Sequence, residues 1–205
     1  MREKRHSRRS RGAHHKQDAT RRRRSPRGIL LLWDRLWVRR WHRYRGPVWL
    51  DRMLLALVRL GDGWGWGLVA GALALALPWP HFAWIAGQGL FAAVLSVPLY
   101  AALKASFRRA RPHQRFKRVS ARVSPRDAYS FPSGHTMNNL AIAAGIAWHL
   151  PWLWPFALAM PVGIGLLRVM FGVHFVSDIV AGTVLGLLAG WAAVALYSRI
   201  LPSPF

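Results

Sequence analysis

The sequence predicts an all-α protein, a polytopic membrane helical bundle with about five transmembrane helices preceded by N-terminal interfacial helices. Three observations support this class. Hydrophobic residues make up 53% of the 205-residue chain. The charge is segregated, because 17 of the 30 basic residues lie between Arg2 and Arg45 and nine more lie between Lys104 and Arg126. Four long stretches outside these basic segments carry no formal charge, as expected of segments that cross a bilayer.

Residues 1–28 are rich in Arg, Ser and His, and such a segment cannot bury an apolar core. We therefore expect a disordered tail. Its cationic part is too long for a secretory signal peptide, and no small-residue cleavage site follows a short apolar core. The tail could contact anionic lipid headgroups, at about 1 kcal/mol per basic residue near the surface, or act only as a solvated topology signal. No specific nucleic-acid partner is expected.

Residues 29–47 alternate arginines with apolar clusters that contain three tryptophans. This spacing predicts a basic amphipathic helix in the membrane interface, with the tryptophans at headgroup depth. The membrane domain is then expected to extend over residues 48–200. Its first part, residues 48–60, carries three charges in 13 residues, which predicts a second interfacial or half-buried helix rather than a crossing.

Five crossings are expected from the four uncharged stretches, which are residues 64–80, 82–103, 136–167 and 179–198. A tight turn at Pro80–His81 separates the first two. The third is 32 residues long, which is too long for one helix, and a break is predicted near His149, Pro151 and Pro155. Glycines at four-residue spacing in the last stretch predict close helix packing.

Lys104 and Arg111-Pro112 end the second uncharged stretch. A lysine gives a point charge, and an arginine gives a planar fork that matches phosphate oxygens. If the helix continues past the membrane, both cations can point to one pocket. Taken alone, this fragment favours the alternative, the basic flank that is common at the ends of membrane spans.

Pro132-Ser133-Gly134-His135 opens the third uncharged stretch. Free backbone N–H groups at a helix N-terminus bind anions, the serine hydroxyl adds a donor, and glycine allows close approach. A histidine beside such an anion can give a proton to a leaving oxygen. An ordinary serine N-cap near an interfacial histidine is the alternative.

Arg168, His174 and Asp178 form the third fragment. His174 and Asp178 are four residues apart, so they share a helix face if the last span begins near His174. A carboxylate bonded to one imidazole nitrogen leaves the other nitrogen free to attack. Arg168 would meet the phosphate from the side opposite Lys104. The alternative is a structural His–Asp pair that caps the last helix.

The motifs Lys-x6-Arg-Pro, Pro-Ser-Gly-His and Arg-x5-His-x3-Asp occur in this order. Together they resemble the type 2 phosphatidic acid phosphatase superfamily, which includes membrane lipid phosphatases and shares an active site with vanadium haloperoxidases. The resemblance covers residues 50–198, with bounds that are approximate. The family usually has Ser before the arginine of the third motif, where this chain has Leu167, so Leu167 is not part of the predicted site.

The resemblance implies a role for each matching residue. His174 would be the nucleophile, oriented by Asp178, and His135 would be the general acid for the leaving alkoxide. The residues that would bind phosphate are Lys104, Arg111, Ser133, Gly134 and Arg168.

We therefore expect a metal-independent integral-membrane phosphatase that hydrolyses a lipid phosphate or isoprenoid diphosphate through a phosphohistidine. No metal site or cofactor is predicted, because Asp127 and Asp178 are the only carboxylates after Asp62. Two alternatives stay open, a lipid phosphotransferase with the same intermediate and a non-catalytic anion- or lipid-binding membrane protein. A vanadate-dependent peroxidase is disfavoured, because such relatives are larger and soluble.

A location in a bacterial-type cytoplasmic (inner) membrane is expected. Five crossings place the basic tail and residues 104–131 on the same side, and the charge bias favours the cytoplasmic face for the active site. If residues 48–60 also cross, the site lies on the outer face.

Overall fold

All regular elements that the computed structural model describes are helical, and it describes residues 26–44, 46–201 and Pro204. The helices in chain order are α1 Pro26–His42, α2 Val48–Arg59, α3 Gly65–Ala76, α4 Trp79–Phe107, the single turn α5 Pro112–Arg115, α6 Gly134–His149, α7 Trp154–Met170 and α8 Val176–Ile200. A π-helical turn joins α2 to α3 at Leu60–Trp64, and a 3-10 turn precedes α7 at Pro151–Leu153. Most of the predicted disordered tail, residues 1–25, lies outside the described residues.

Among the described residues, three helical stretches have the length and apolar composition to cross a membrane: Trp79–Arg115, Pro151–Met170 and Val176–Ile200. The all-helical membrane class predicted from the sequence is therefore confirmed, whereas the count of five crossings stays a prediction. The predicted break of the third uncharged stretch is also confirmed, because α6 ends at His149 and α7 begins at Trp154.

The first uncharged stretch differs from its prediction. Helix α3 has only 12 residues and ends at Ala76, so at 1.5 Å per residue it is about 18 Å long, short of the ~30 Å hydrocarbon core. The chain then turns at Leu77 and Pro78, not at Pro80–His81. Pro80 lies instead in the first turn of α4, where the missing N–H of a proline costs nothing.

The bend between α2 and α3 contains Gly61, Asp62 and Gly63. Gly63 has a φ of +120°, a left-handed conformation that favours glycine. A Cβ on Gly61 would lie 2.9 Å from the Ile164 side chain of α7. The two glycines therefore let the bend lie close to the bundle and place Asp62 beside the start of α6.

Helix α6 lies at the centre of the bundle and packs against α4, α7 and α8. The face that α8 turns towards it is lined by Gly182, Gly186 and Gly190, where an added Cβ would lie 2.6–2.8 Å from backbone oxygens of α6 or of its N-cap. The predicted close packing of this glycine row is confirmed. The packing brings the backbone of α8 into direct contact with α6. It thereby fixes how far the N-terminus of α6 is shifted along the bundle axis relative to the N-terminus of α8, and both N-termini contribute residues to the site.

Helix α1 packs beneath the ends of α7 and α8. Val38 is fully buried in a cluster with Val169, Phe175 and Ile179. Asp34 is also buried on this face, at 3% exposed. The segment that was predicted to lie in the membrane interface is thus also a packed part of the bundle.

Candidate active site

The three sequence fragments meet at one end of the bundle, because consecutive antiparallel helices return there. Arg111 Nη1 donates to the Val173 carbonyl oxygen over 2.7 Å, which joins the first fragment to the third. The Ser133 N–H donates to the Asp178 carbonyl oxygen over 3.1 Å, which joins the second to the third. The buried members of the predicted site are Lys104, Arg111, Ser133, Gly134, Arg168, His174 and Asp178, and His135 is partly exposed.

Lys104 and Arg111 share one carboxylate. Lys104 lies in the last turn of α4, and Arg111 directly precedes α5. Lys104 Nζ lies 2.7 Å from one carboxylate oxygen of Asp127, and Arg111 Nη2 lies 2.6 Å from the other. Burial would raise the pKa of Asp127, but the hydrogen bonds and charges of the two cations outweigh burial and hold that pKa below its usual value. Asp127 is therefore ionised at neutral pH and occupies the anion-binding groups of both cations.

His174 lies just before α8 and is 1% exposed. Its Nδ1 is 2.9 Å from the Ser130 carbonyl oxygen, whereas the nearer carboxylate oxygen of Asp178 is 3.5 Å away. A carbonyl oxygen can only accept, so Nδ1 carries the proton and Nε2 keeps its lone pair. Burial lowers the pKa of His174 to about 4, so the ring is neutral at physiological pH.

The expected helix-face pairing of His174 with Asp178 is not what the structure shows. Helix α8 begins at Val176, two residues after His174. Asp178 folds back over this turn, and its Oδ2 accepts the Phe175 N–H over 2.8 Å. Its Oδ1 receives Arg109 Nη1 over 2.6 Å. The pair is therefore held by the turn and by Arg109, a residue that the sequence analysis did not select.

Ser133 lies at the N-terminus of α6, as predicted, and is the N-cap of that helix. Its Oγ accepts hydrogen bonds from the N–H and the hydroxyl of Thr136, over 3.4 and 3.0 Å. A Cβ on Gly134 would lie 3.1 Å from the Tyr100 ring. The glycine therefore allows the Tyr100 ring to pack closely against the start of α6. The first amides of α6 thus face the site at the positive end of the helix dipole.

His135 is paired with Asp62, a second residue that the sequence analysis did not select. The two side chains meet at 2.5 Å between His135 Nε2 and Asp62 Oδ1. Arg168 Nη1 is 3.5 Å from the same oxygen. The signal was present in the sequence, because a carboxylate between two glycines at the edge of an uncharged stretch is itself a functional candidate.

Arg168 retains an unused donor. It is 2% exposed, and its Nε has no hydrogen-bond partner among the described residues. Buried N–H groups are rarely left unpaired. The unpaired donor fits an anion that binds between Arg168 and the other two cations. Leu167, by contrast, packs into an apolar cluster with Val58 and Ile164.

Two cavities adjoin the site. A polar cavity of about 130 Å³ is lined by Asp62, Tyr100, Asp127, Gly134 and His135, among others. An apolar cavity of about 120 Å³ lies between α3, α6 and α7, and shares three lining residues with the polar one, Gly61, Trp66 and Asn139. The described residues contain no group of three His, Asp or Glu side chains arranged to hold a metal ion.

The fold and the site define a helical membrane protein with a cluster of buried cations and histidines at one end of the bundle. The sequence profile of the PAP2 superfamily matches residues 82–201, more than half of the chain. The chain belongs to this superfamily, as its motifs predicted.

Three curated relatives carry the names of lipid phosphatases. Phosphatidylglycerophosphatase B of Bacillus subtilis is 42% identical over 72 residues, 30% of this chain and 36% of that protein. Lipid A 1-phosphatase of Rhizobium johnstonii is 32% identical over 58% of this chain and 50% of its own length. Decaprenylphosphoryl-5-phosphoribose phosphatase of Mycobacterium tuberculosis is 34% identical over 62% of this chain and 68% of its own length. The matched part of this chain thus spans about a third of the length of the Bacillus subtilis protein and about half of the length of the Rhizobium johnstonii protein.

Two solved structures share the fold. A transmembrane PAP2-type phosphatidylglycerolphosphate phosphatase from Bacillus subtilis is 26% identical, with a TM-score of 0.65 over 82% of this chain and 86% of that chain. Aquifex aeolicus LpxE is 24% identical, with a TM-score of 0.63 over 77% of this chain and 92% of that chain. The likeness to LpxE concerns the fold alone.

Proposed function

We propose that the protein is an integral-membrane phosphatase that hydrolyses a lipid phosphate or an isoprenoid diphosphate. The observation that carries this proposal is the state of His174: a neutral imidazole with Nδ1 bonded to a carbonyl and Nε2 3.4 Å from Arg111 Nη1. A nucleophile held beside a phosphate-binding cation is what phosphoryl transfer through a phosphohistidine requires. The names of the three relatives support a phosphorylated lipid as substrate.

The first half-reaction uses His174 and His135. The Nε2 lone pair of His174 attacks phosphorus, the bond from phosphorus to the leaving oxygen breaks, and protonated His135 gives that oxygen a proton. Burial and Arg168 disfavour the protonated ring of His135 in the described state, whereas Asp62, whose Oδ1 lies 2.5 Å from Nε2, and the negative charge of a bound phosphate would favour it. The positive charge that develops on His174 is balanced by nearby Asp178.

The second half-reaction reverses these roles. His135, now neutral, takes a proton from a water molecule, whose oxygen attacks the phosphohistidine. The P–N bond breaks and inorganic phosphate leaves, which restores His174. No metal ion is required by these steps, because Lys104, Arg111 and Arg168 supply the positive charge.

Substrate binding requires an exchange of anions at Lys104 and Arg111. A phosphate group presents more negative charge and more acceptor oxygens than the Asp127 carboxylate that these cations hold in the described state. Its third oxygen would accept the free Nε donor of Arg168. The adjoining apolar cavity supports a substrate whose phosphate carries a long hydrocarbon chain.

The proposal extends to the topology of the protein in the membrane. Helix α3, although shorter than the hydrocarbon core, and α6 are counted with the three candidate spans as five crossings, so the basic tail and the catalytic end share one face. The positive-inside bias makes this the cytoplasmic face of a bacterial-type inner membrane. The tail, residues 1–28, then lies where anionic headgroups attract it.

A panel of substrates tests the proposal. Detergent-solubilised protein would be incubated with phosphatidic acid, phosphatidylglycerol phosphate and isoprenyl diphosphates, and phosphate release measured with and without EDTA. We expect release from at least one of these lipids, unaffected by EDTA and inhibited by vanadate. Loss of activity in EDTA that magnesium restores would contradict the metal-independent mechanism, and release from none of the panel would contradict the substrate class.

A further inference from the structure

The N-terminal helix α1 contributes a carboxylate to the network behind the nucleophile. Asp34 Oδ2 lies 2.6 Å from Arg109 Nη2, while Arg109 Nη1 lies 2.6 Å from Oδ1 of Asp178. One guanidinium therefore bridges two carboxylates, one on α1 and one beside His174. Its Cζ also lies 4.2 Å from the centroid of the Phe175 ring, which fixes the plane of the fork.

Asp34 also binds the first turn of α8 directly. Its Oδ1 accepts the Ser177 N–H over 3.0 Å, and its Oδ2 accepts the Ser177 hydroxyl over 2.5 Å. The first amides of a helix need acceptors from outside that helix. The N-cap residue of α8 is Phe175, whose side chain has no oxygen. Asp34 supplies from another helix the acceptor that a Ser or Asp N-cap normally supplies.

We propose that Asp34 is a positioning residue for catalysis, and that α1 thereby helps to hold the catalytic residues in place. The inference rests on the proposed function, because it assigns Asp34 to the orientation of His174 through Arg109 and Asp178. Helix α1 lies outside residues 82–201, which match the PAP2 superfamily. Asp34 therefore lies outside the part of the chain that the family profile matches, whereas Arg109 and Asp178 lie inside it.

The charges explain why Asp34 acts on the nucleophile rather than only on stability. Asp34 is 3% exposed and Asp178 is 0% exposed, so each carboxylate depends on Arg109 for compensation. With Asp34 in place, Nη2 of Arg109 is bound to Asp34, so that only Nη1 is available to Asp178. Without the charge of Asp34, the whole fork can turn onto Asp178 and draw it away from Phe175 N–H and His174. The phosphate-binding cations do not contact Asp34.

This arrangement predicts a split between kinetic constants. Asp34→Asn keeps an acceptor for the Ser177 amide but removes the charge that holds Arg109. We expect kcat to fall about tenfold, as for other residues that orient a catalytic ligand. KM and the inhibition constant of vanadate should stay within about twofold of wild type, because Lys104, Arg111 and Arg168 are untouched.

Asp51→Asn is the matched control. Asp51 on α2 forms an ion pair with Arg122, so this variant also loses one partly buried ion pair but none near His174. We expect its kcat to equal that of wild type even if both variants lose similar thermal stability. A wild-type kcat in Asp34→Asn, or an equal fall of kcat in both variants, would overturn the proposal.

Two further variants keep the outcomes distinct. If Asp34→Asn does not yield a monodisperse protein, Asp34→Ser, which also lacks the charge but keeps a small polar side chain, should have a kcat about tenfold below wild type at unchanged vanadate inhibition. A wild-type kcat in that variant overturns the proposal equally. His174→Ala, assayed in parallel, tests the proposed function by itself. If it retains activity the mechanism fails, whereas its inactivity beside a fully active Asp34→Asn refutes only the role of Asp34.

Discussion

The protonation of a single ring decides whether His174 can act as a nucleophile. Ser130, rather than Asp178, provides the nearer acceptor for Nδ1, at 2.9 Å against 3.5 Å. A backbone carbonyl cannot take the proton away, so it fixes the tautomer of the neutral ring. In the proposed mechanism, Asp178 is left to balance the charge that forms when Nε2 is phosphorylated. Ser130 and Asp178 thus have different roles: the Ser130 carbonyl sets the tautomer of His174, and Asp178 supplies negative charge beside the ring.

The titration of His174 is the first prediction. Burial lowers its pKa to about 4, so the ring should stay neutral as the pH falls from 7 to 5 and should become protonated only near pH 4. NMR of 13C-labelled histidine in detergent micelles, with the signal assigned by its loss in His174→Gln, measures this midpoint. A midpoint close to the ordinary value of about 6.5 would contradict the buried, neutral state.

Asp127→Asn is the second prediction. The Asp127 carboxylate forms ion pairs with Lys104 and Arg111, the proposed phosphate-binding cations. If it competes with phosphate for them, its neutralisation should lower both KM and the inhibition constant of vanadate several-fold, with kcat changed less. Ser124→Ala in the same loop is the control and should change neither. Weaker vanadate inhibition in Asp127→Asn would show that Asp127 positions the cations instead of competing for them.

Helix-to-helix contacts at the glycine row of α8 set the height of the catalytic turn. A Cβ on Gly186 would lie 2.6 Å from the Met137 carbonyl oxygen, so α6 and α8 would have to separate. We expect Gly186→Ala to lower the thermal midpoint, at a cost of about 1–3 kcal/mol, and to reduce phosphate release. The measurement is thermal unfolding in detergent together with the activity assay.

Gly163→Ala is the matched control for this third prediction. Gly163 is also inside a helix, α7, but a Cβ there meets no atom within 4 Å. Since alanine favours helices over glycine by about 1 kcal/mol, this variant should be unchanged or slightly more stable. Equal stability of the two variants would contradict the proposed close contact of α6 and α8.

The elements show which parts of the architecture hydropathy can predict. It located α4, α7 and α8 because their apolar length is a local property of the sequence. It placed the end of α3 and the following turn incorrectly, because Pro80 fits the first turn of a helix as well as it fits a turn. The bend at Gly63 depends on contacts of Gly61 and Asp62 with α6 and α7, which no local pattern contains.

The candidate site divides in the same way. Lys104, Ser133 and His174 belong to short motifs with fixed spacing, so the sequence alone selects them. Asp62 and Arg109 reach the site only through the fold, one by the bend before α3 and the other by its bridge between α1 and α8. Arg109 is hidden among the other basic residues between Lys104 and Arg126, whereas the position of Asp62 between two glycines was a signal that could have selected it.

The orientation of the whole molecule is the fourth prediction. With five crossings, a reporter that is active only in the periplasm should be silent when fused after Ser124 and active when fused after Phe205. The physical reason is the excess of basic residues in the tail and in residues 104–126, which favours the cytoplasmic side. The opposite result at both positions would place the catalytic end outside and would contradict the five-crossing topology with a cytoplasmic tail.

The central claim concerns His174, and its most direct test is phosphate release by purified His174→Ala on the lipid that wild type hydrolyses best. His81→Ala is the matched control, because His81 lies in the first turn of α4, at the end of that helix remote from Lys104. With the nucleophile gone, we predict a fall of about 10³-fold or more at unchanged monodispersity, and near-wild-type release by the control. Turnover within tenfold of wild type in folded His174→Ala would contradict the phosphohistidine mechanism.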